Sequence, residues 1–420
     1  MQTLLEFPKL HAVAGRRQRR YLFYSHDAQG LGHTQRNLAI AAAIMQLDPE
    51  AAALLVTGTN QVHRLGMPAD IGILKLPGLR KVTNQRYEGR NLQVPASDVL
   101  ALRAQLLRGA VEAFRPNVLL ADKHPLGAHH ELIPALQSLR AHGGKAVLGL
   151  RDILDDPARV EREWAHEQVQ ENTAEYYERI LIYGDPQVFD PISEYRFLPA
   201  LAERTSFCGY VVNRVQGVPG SASLAQRIGR SANGRPLVVA STGGGEDGFG
   251  VLEGFVRCSV GANWKGVAVS GPLAKRKDCE SLRQLSAATG VTAFSFVAGL
   301  GEVIGSARAM VCMGGYNTLV ESVSSGTPTV CVPRIFPRRE QLIRAQAFAD
   351  LGLLRFIEPS RLNPILLRAE IENAIEESRP ELRARASILS FDGARQAARH
   401  LRILAGAATT AIAPMLAAHA

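Results

Sequence analysis

The sequence predicts an α/β protein built from two doubly wound domains in tandem. Three observations lead there. The chain has 420 residues, beyond the size at which one hydrophobic core usually keeps growing. Two separate series of short apolar strands alternate with helical patterns, the signature of parallel sheets covered on both faces. Each series also has a glycine-bearing turn directly after its first strand.

The first series opens at Tyr21–Ser25, followed by a glycine turn and an apolar helix from about Asn37 to Gln46. It continues through strands at Ala53–Thr57, Asn117–Ala121, Lys145–Leu150 and Arg179–Tyr183. The second series places strands at Pro236–Ser241, Gly266–Ser270, Val291–Phe296, Ala309–Cys312 and Thr329–Val332. Glycine, serine and alanine crowd residues 215–234, the expected interdomain connection. The reading divides the chain into a basic extension (1–19), an N-terminal domain (20–211), a C-terminal domain (212–385), a return helix (386–406) and a tail (407–420). Ligands of such sheets bind beyond the carboxyl ends of the strands, so polar residues just after each strand carry the most weight.

Hydrophobic residues make up 46% and charged residues 21% of the chain, an ordinary globular balance. The formal charge of +9 points to an anionic partner. Dispersed basic residues, 6% aromatics and the lack of zinc-finger spacing argue against nucleic acid. Five cysteines without a C-x-x-C pair fit a reducing cytoplasm rather than a disulfide framework. Neither a leader peptide nor an eighteen-residue apolar span is evident, so a cytoplasmic protein is expected, with peripheral contact to the inner membrane face as the limit of its membrane association.

Three constellations carry chemistry. The loop from His26 to Asn37 holds Asp27, Gly30, Gly32, His33 and Arg36. The glycines let backbone approach a ligand, and His33 sits near a helix start, whose dipole favours a neutral, base-competent imidazole. Asp27 is a candidate to orient that ring or act as base itself. The second constellation, Gly243, Gly244 and Gly245 after the first strand of the second series, exposes amides suited to a diphosphate. It is neither a P-loop nor a clean dinucleotide fingerprint.

The third runs from Cys312 to Pro333 and on to Arg338, Glu340 and Gln341. Gly314 and Gly315 open a helix that Asn317 and Thr318 can cap, with Glu321 one turn further along. On the N-terminal half, Asp122 with His124, then Arg151 with Asp152, follow strands and fit an acceptor pocket. Asp122 or Asp152 could also serve as the base. No histidines stand at metal-ligand spacing, and no metal site is expected.

The segment from Met313 to Pro333 with Glu340–Gln341 resembles the donor-binding region of GT-B glycosyltransferases related to the peptidoglycan-lipid N-acetylglucosaminyltransferases, the family 28-like C-terminal domain. The phrases around Leu150–Asp156, Tyr183–Pro186, Cys208–Tyr210 and Met313–Asn317 resemble a bacterial group of predicted glycosyltransferases. The resemblance implies a GT-B fold of two Rossmann-like domains facing a cleft. It also implies a nucleotide-diphosphate sugar donor, a UDP-sugar, and a sugar, lipid-linked or small-molecule acceptor. By position, Gly243–Gly245 would face the diphosphate, Phe296 and Val297 the base, Glu321 the ribose, and Glu340 and Gln341 the hexose. The family more often has glutamine where this chain has Glu340. The turn from Gly30 to Arg36 is also similar to that of a GT-B-like UDP-sugar hydrolase. Hydrolysis and a catalytically inactive nucleotide-sugar-binding module are therefore the alternatives.

With no Asp-x-Asp triplet to hold a diphosphate through a metal, the consistent mechanism is metal-independent and needs no cofactor. Glycine amides, a helix dipole and Arg334, Arg338 or Arg339 would meet the leaving-group charge. Resemblance to the lipid-linked transferase favours inversion.

Overall fold

The structure is a computed structural model that describes residues 18–26, 31–62, 65, 68, 70–81, 87–90, 92–213, 226, 228 and 234–406. Asp27, Gly30, most of the 215–234 connection and the tail from 407 lie outside the described residues.

The N-terminal sheet contains β1 (Arg20–Ser25), β2 (Ala52–Thr57), β3 (Ile71–Lys75), β6 (Val118–Asp122), β7 (Lys145–Arg151), β8 (Arg179–Tyr183) and β9 (Thr205–Phe207). Its order is β3-β2-β1-β6-β7-β8-β9, with every neighbouring pair parallel. A small antiparallel pair, β4 (Leu79–Lys81) and β5 (Tyr87–Gly89), stands apart. The strands read as apolar runs because both faces are covered: β1, β6 and β8 are buried along nearly their whole length.

The second sheet contains β10 (Leu237–Ser241), β11 (Lys265–Val269), β12 (Thr292–Phe294), β13 (Ala309–Cys312), β14 (Thr329–Cys331) and β15 (Arg355–Phe356). Its order is β12-β11-β10-β13-β14-β15, again parallel throughout. The edge strands β3, β9 and β15 escape the sequence reading. They are short or half-exposed and lack a continuous apolar run.

In both sheets the strand order reverses beside the first strand, between β1 and β6 and between β10 and β13. These are the topological switch points where ligand crevices open. The loop after β1 leads into helix α1 (Gly32–Leu47), which starts five residues earlier than its apolar pattern suggests. The loop after β10 is the triple-glycine turn, and the loop after β13 leads into helix α11 (Tyr316–Ser324). Helix α15 (Gly393–Leu404) returns from the second sheet and buries Ala397, Ala398 and Leu401 against the same core cluster as α1. Its start is tied down where Tyr210 donates to the Ser390 carbonyl at 2.7 Å and Gly393 donates to the Tyr210 carbonyl at 3.1 Å.

Candidate functional site

A cavity of about 610 Å³ opens between the two switch points and is lined from both domains. Gly32, His33, Gln35, Arg36 and Arg151 contribute from the N-terminal side. On the opposite wall stand Gly243, Gly244, Phe296 and Val297, and Gly315, Asn317, Thr318 and Glu321 close the end at α11.

His33 is the second residue of α1, and Asp122 ends the neighbouring strand β6. Strand pairing alone brings the two loops together, since Ser25 lies opposite Asp122 in the β1–β6 register. The imidazole Nδ1 lies 3.0 Å from Asp122 Oδ1. Arg36, one turn further along α1, donates to both oxygens of that carboxylate, with Nε at 3.1 Å from Oδ2 and Nη2 at 2.9 Å from Oδ1. The Arg36 guanidinium also faces the rings of Tyr183 and Tyr316, at 5.5 and 5.2 Å. Burial acts to raise the Asp122 pKa, but Arg36 and His33 outweigh it and hold the group well below the usual carboxylate range. Asp122 is thus ionised at neutral pH. Arg36 Nη2 stands 2.8 Å from the same Nδ1 and can only donate. Arg36 thus favours a bare Nδ1 and Asp122 a protonated one; in the tautomer that donates to Asp122 the proton is on Nδ1 and the lone pair on Nε2, the nitrogen turned from Asp122.

On the C-terminal wall, the glycine turn fits against the loop after β11. A Cβ at Gly271 would lie 2.3 Å from the Gly243 carbonyl, and one at Gly245 would lie 2.3 Å from the Ser270 carbonyl. Both residues have positive φ, at 94° and 91°. Their interlock holds Gly244 at the surface of the cavity, where a Cβ would meet nothing within 4 Å. Gly245 thus shapes the turn from behind rather than lining it, and Gly271 is a residue the sequence reading missed.

Helix α11 begins after Gly315 with no side-chain cap, so the expected capping by Asn317 and Thr318 is not what they do. Asn317 instead donates from Nδ2 to Gln35 Oε1 across the cleft at 2.8 Å. Glu321 lies on the same helix, half-buried, with its carboxyl facing Gly301. It makes no side-chain hydrogen bond or ion pair among the described residues. Burial alone raises its pKa to about 7.

Several expected site residues lie behind the walls. Gly314 packs against Gln341 and Cys331, and its carbonyl accepts from Arg344 at 3.1 Å. Glu340 is buried and paired with Arg334 at 2.6 Å, while Gln341 Oε1 accepts from the Arg334 amide. Arg334 in turn reaches Asp247 at 2.8 Å, so these residues brace the loop behind the C-terminal wall. Arg338 crosses to the N-terminal domain and pairs with Asp155 and Glu163, both at 3.0 Å. Asp152, expected on the acceptor side, is fully buried. It accepts from Tyr210 at 2.8 Å and from the Ile153 amide at 2.7 Å. His124 packs edge-on against His26, away from the cavity wall. Sequence spacing shows that these residues follow strands, but not which of them turn inward.

Residues 247–401 match the glycosyltransferase family 28 C-terminal domain. A segment of 101 residues is 26% identical to the UDP-N-acetylglucosamine--N-acetylmuramyl-(pentapeptide) pyrophosphoryl-undecaprenol N-acetylglucosamine transferase of Haemophilus influenzae (strain PittEE), covering 24% of this chain and 29% of that protein. The aligned stretch thus spans less than a third of that relative's length. Among solved structures, the chain superposes on a UDP-glucosyltransferase from Polygonum tinctorium with a TM-score of 0.63 at 13% identity, covering 93% of this chain and 99% of the other. It also superposes on the calicheamicin glycosyltransferase CalG4 (TM-score 0.59, 17% identity, 93% and 99% covered) and on Acinetobacter baumannii MurG (0.55, 14%, 92% and 99%).

The fold is therefore GT-B, two parallel α/β domains facing a cleft. The C-terminal part of the chain carries the match to the family 28 domain, and the chain as a whole has the GT-B fold. Among the described residues no helix is long and apolar enough to cross a membrane.

Proposed function

We propose that this chain transfers a hexose or N-acetylhexosamine from a UDP-sugar to an acceptor hydroxyl, with inversion and without a divalent metal. The observation that carries the reading is the contact of His33 Nδ1 with Asp122, set across one cavity from the glycine turn and the unpartnered Glu321. The relative's printed name, an N-acetylglucosamine transferase using UDP-N-acetylglucosamine, supports the same donor class.

In this reading Gly243 and Gly244 receive the diphosphate through backbone amides, helped by the start of α11. Glu321 accepts the ribose hydroxyls, and the backbone at Phe296 and Val297 meets the base. His33 Nε2 takes the proton from the acceptor hydroxyl as its oxygen attacks the anomeric carbon. The bond from that carbon to the phosphate oxygen breaks, and UDP leaves. Asp122 stabilises the resulting imidazolium, as an oriented carboxylate does in other acid–base sites. The five cysteines and the positive net charge support a cytoplasmic protein that meets anionic substrates or the inner membrane face.

The test is a screen of UDP-sugars for UDP release, with and without cell-extract acceptors. Acceptor-dependent release supports transfer. Equal release without acceptor would reassign His33 to activating water and make the chain a hydrolase. UDP binding without release would mark an inactive binding module, and no binding at all would sink the donor assignment.

A further inference from the structure

Arg151 ends β7 and lines the cavity on the N-terminal side, two strands from the His33 loop. Among the described residues its guanidinium makes no hydrogen bond or ion pair, and its Nε is buried without an acceptor. Fully buried arginines elsewhere each have a hydrogen-bond or ion-pair partner, although the Arg344 Nε likewise lacks an acceptor. Arg36 has Asp122, and Arg344 donates to the carbonyls of Gly314 and Ile153, with Asp152 at 3.7 Å. Arg103, also buried, pairs with Glu131 at 2.6 Å.

The carboxylates near Arg151 are already committed. Asp122 is held by Arg36 and His33, Asp152 by Tyr210 and the Ile153 amide, and Glu340 by Arg334 through Oε1, its Oε2 being buried without a partner. Burial, together with repulsion from Arg344 and Arg36, draws the Arg151 pKa down to about 10. The side chain still carries its charge at neutral pH. A partly desolvated cation with no direct ion-pair partner is costly, and the guanidinium geometry suits a planar or tetrahedral oxyanion.

We infer that Arg151 binds an oxyanion, a carboxylate or a phosphate, carried by the acceptor. This rests on the transferase reading above. The donor diphosphate already has the glycine amides on the opposite wall, whereas Arg151 stands on the wall of the proposed base. An acceptor anchored there by its anion would present its hydroxyl to His33 from a fixed direction.

The test uses protein saturated with UDP and three probes: glucose 1-phosphate, glucuronic acid and the uncharged methyl glucoside. UDP affinity is measured first, for wild type and for Arg151→Met, because wild-type protein that bound no UDP would overturn the transferase reading on which the proposal rests. The expected result is that at least one anionic probe binds wild type more tightly than methyl glucoside. Arg151→Met should weaken that probe at least tenfold and leave UDP affinity within twofold. Preference for glucose 1-phosphate identifies a phosphate-bearing acceptor, and preference for glucuronic acid a carboxylate-bearing one. The melting temperature of the unliganded variant separates function from structure, since removing an unpaired, half-buried charge should leave it equal to wild type or higher. The proposal is overturned if the neutral sugar binds equally well, if Arg151→Met leaves the anionic probes unaffected, or if it melts several degrees lower. A tenfold loss of UDP affinity would overturn it too, by assigning Arg151 to the donor.

Discussion

His33 Nδ1 lies 3.0 Å from Asp122 Oδ1, although 89 positions separate the two residues in the chain. The first expected outcome follows from that contact. His33→Ala should cut turnover by roughly 10²–10⁴-fold, the usual size of a general-base contribution. UDP affinity should stay nearly unchanged, because the loss belongs to the transition state and the proposed nucleotide site is on the other domain. Steady-state kinetics and calorimetry check both halves. Turnover within a few-fold of wild type would move the base to a carboxylate and leave His33 a turn residue.

Asp122 should matter to folding as well as chemistry. Asp122→Ala strands the buried Arg36 without its counter-ion, at a cost of about 3–5 kcal/mol. The pH dependence has a definite sign. The folded-state pKa is depressed, so the stabilisation is fully present above the ordinary carboxylate range and is lost as pH falls through the folded value. Urea titrations from pH 7 down to 3 should show wild-type stability falling at the acid end, with a smaller fall in the variant. Parallel curves would contradict the assignment.

The Glu321 pKa is shifted the opposite way, upward. Its pKa of about 7 means that roughly half the carboxyl is protonated at neutral pH. If Glu321 holds the ribose, the hydroxyls donate to its ionised form, and UDP-sugar binding below pH 7 then releases a proton and weakens as pH falls. Affinity should rise about tenfold from pH 6 to pH 8 in wild type, and Glu321→Gln should flatten that rise. Glu321→Ala should weaken UDP binding by about 1–3 kcal/mol at pH 8 through loss of charged hydrogen bonds. A pH-independent wild-type affinity would count against the ribose role.

The two glycine loops separate shape from contact. Gly271→Ala forces a side chain onto the Gly243 carbonyl from a positive φ, and should cost about 1–3 kcal/mol from backbone strain before any rearrangement. Both melting temperature and UDP affinity should fall. Gly244→Ala places its methyl in open space. It should melt like wild type yet bind UDP at least tenfold more weakly if the diphosphate lies against that backbone. Unchanged UDP binding in Gly244→Ala would move the diphosphate elsewhere.

Chelation supplies a further check. If glycine amides and the start of α11 carry the leaving-group charge, turnover should be the same with excess EDTA as with added magnesium or manganese. Loss of activity on chelation, restored by a divalent ion, would show that the reaction needs a metal.

What the sequence by itself determined was periodic and local. Apolar runs such as Leu237–Ser241 and Ala309–Cys312 announce buried parallel strands, because a strand covered on both faces has no polar alternation to disguise it. The glycine turn and the spacing from Gly315 to Glu321 were legible for the same reason: a few consecutive residues define them. The tertiary structure decided which strand-end residues share a space. His33 and Asp122 meet because β1 and β6 are neighbours at a point where the sheet order reverses, and no local pattern encodes that adjacency. Asp152 and Arg151 are consecutive, yet one is locked beneath Tyr210 and the other faces the cavity. Side-chain direction at a strand end depends on what the rest of the fold packs against it. Gly271 and Gly245 likewise became necessary only when two loops from different strands came within van der Waals distance.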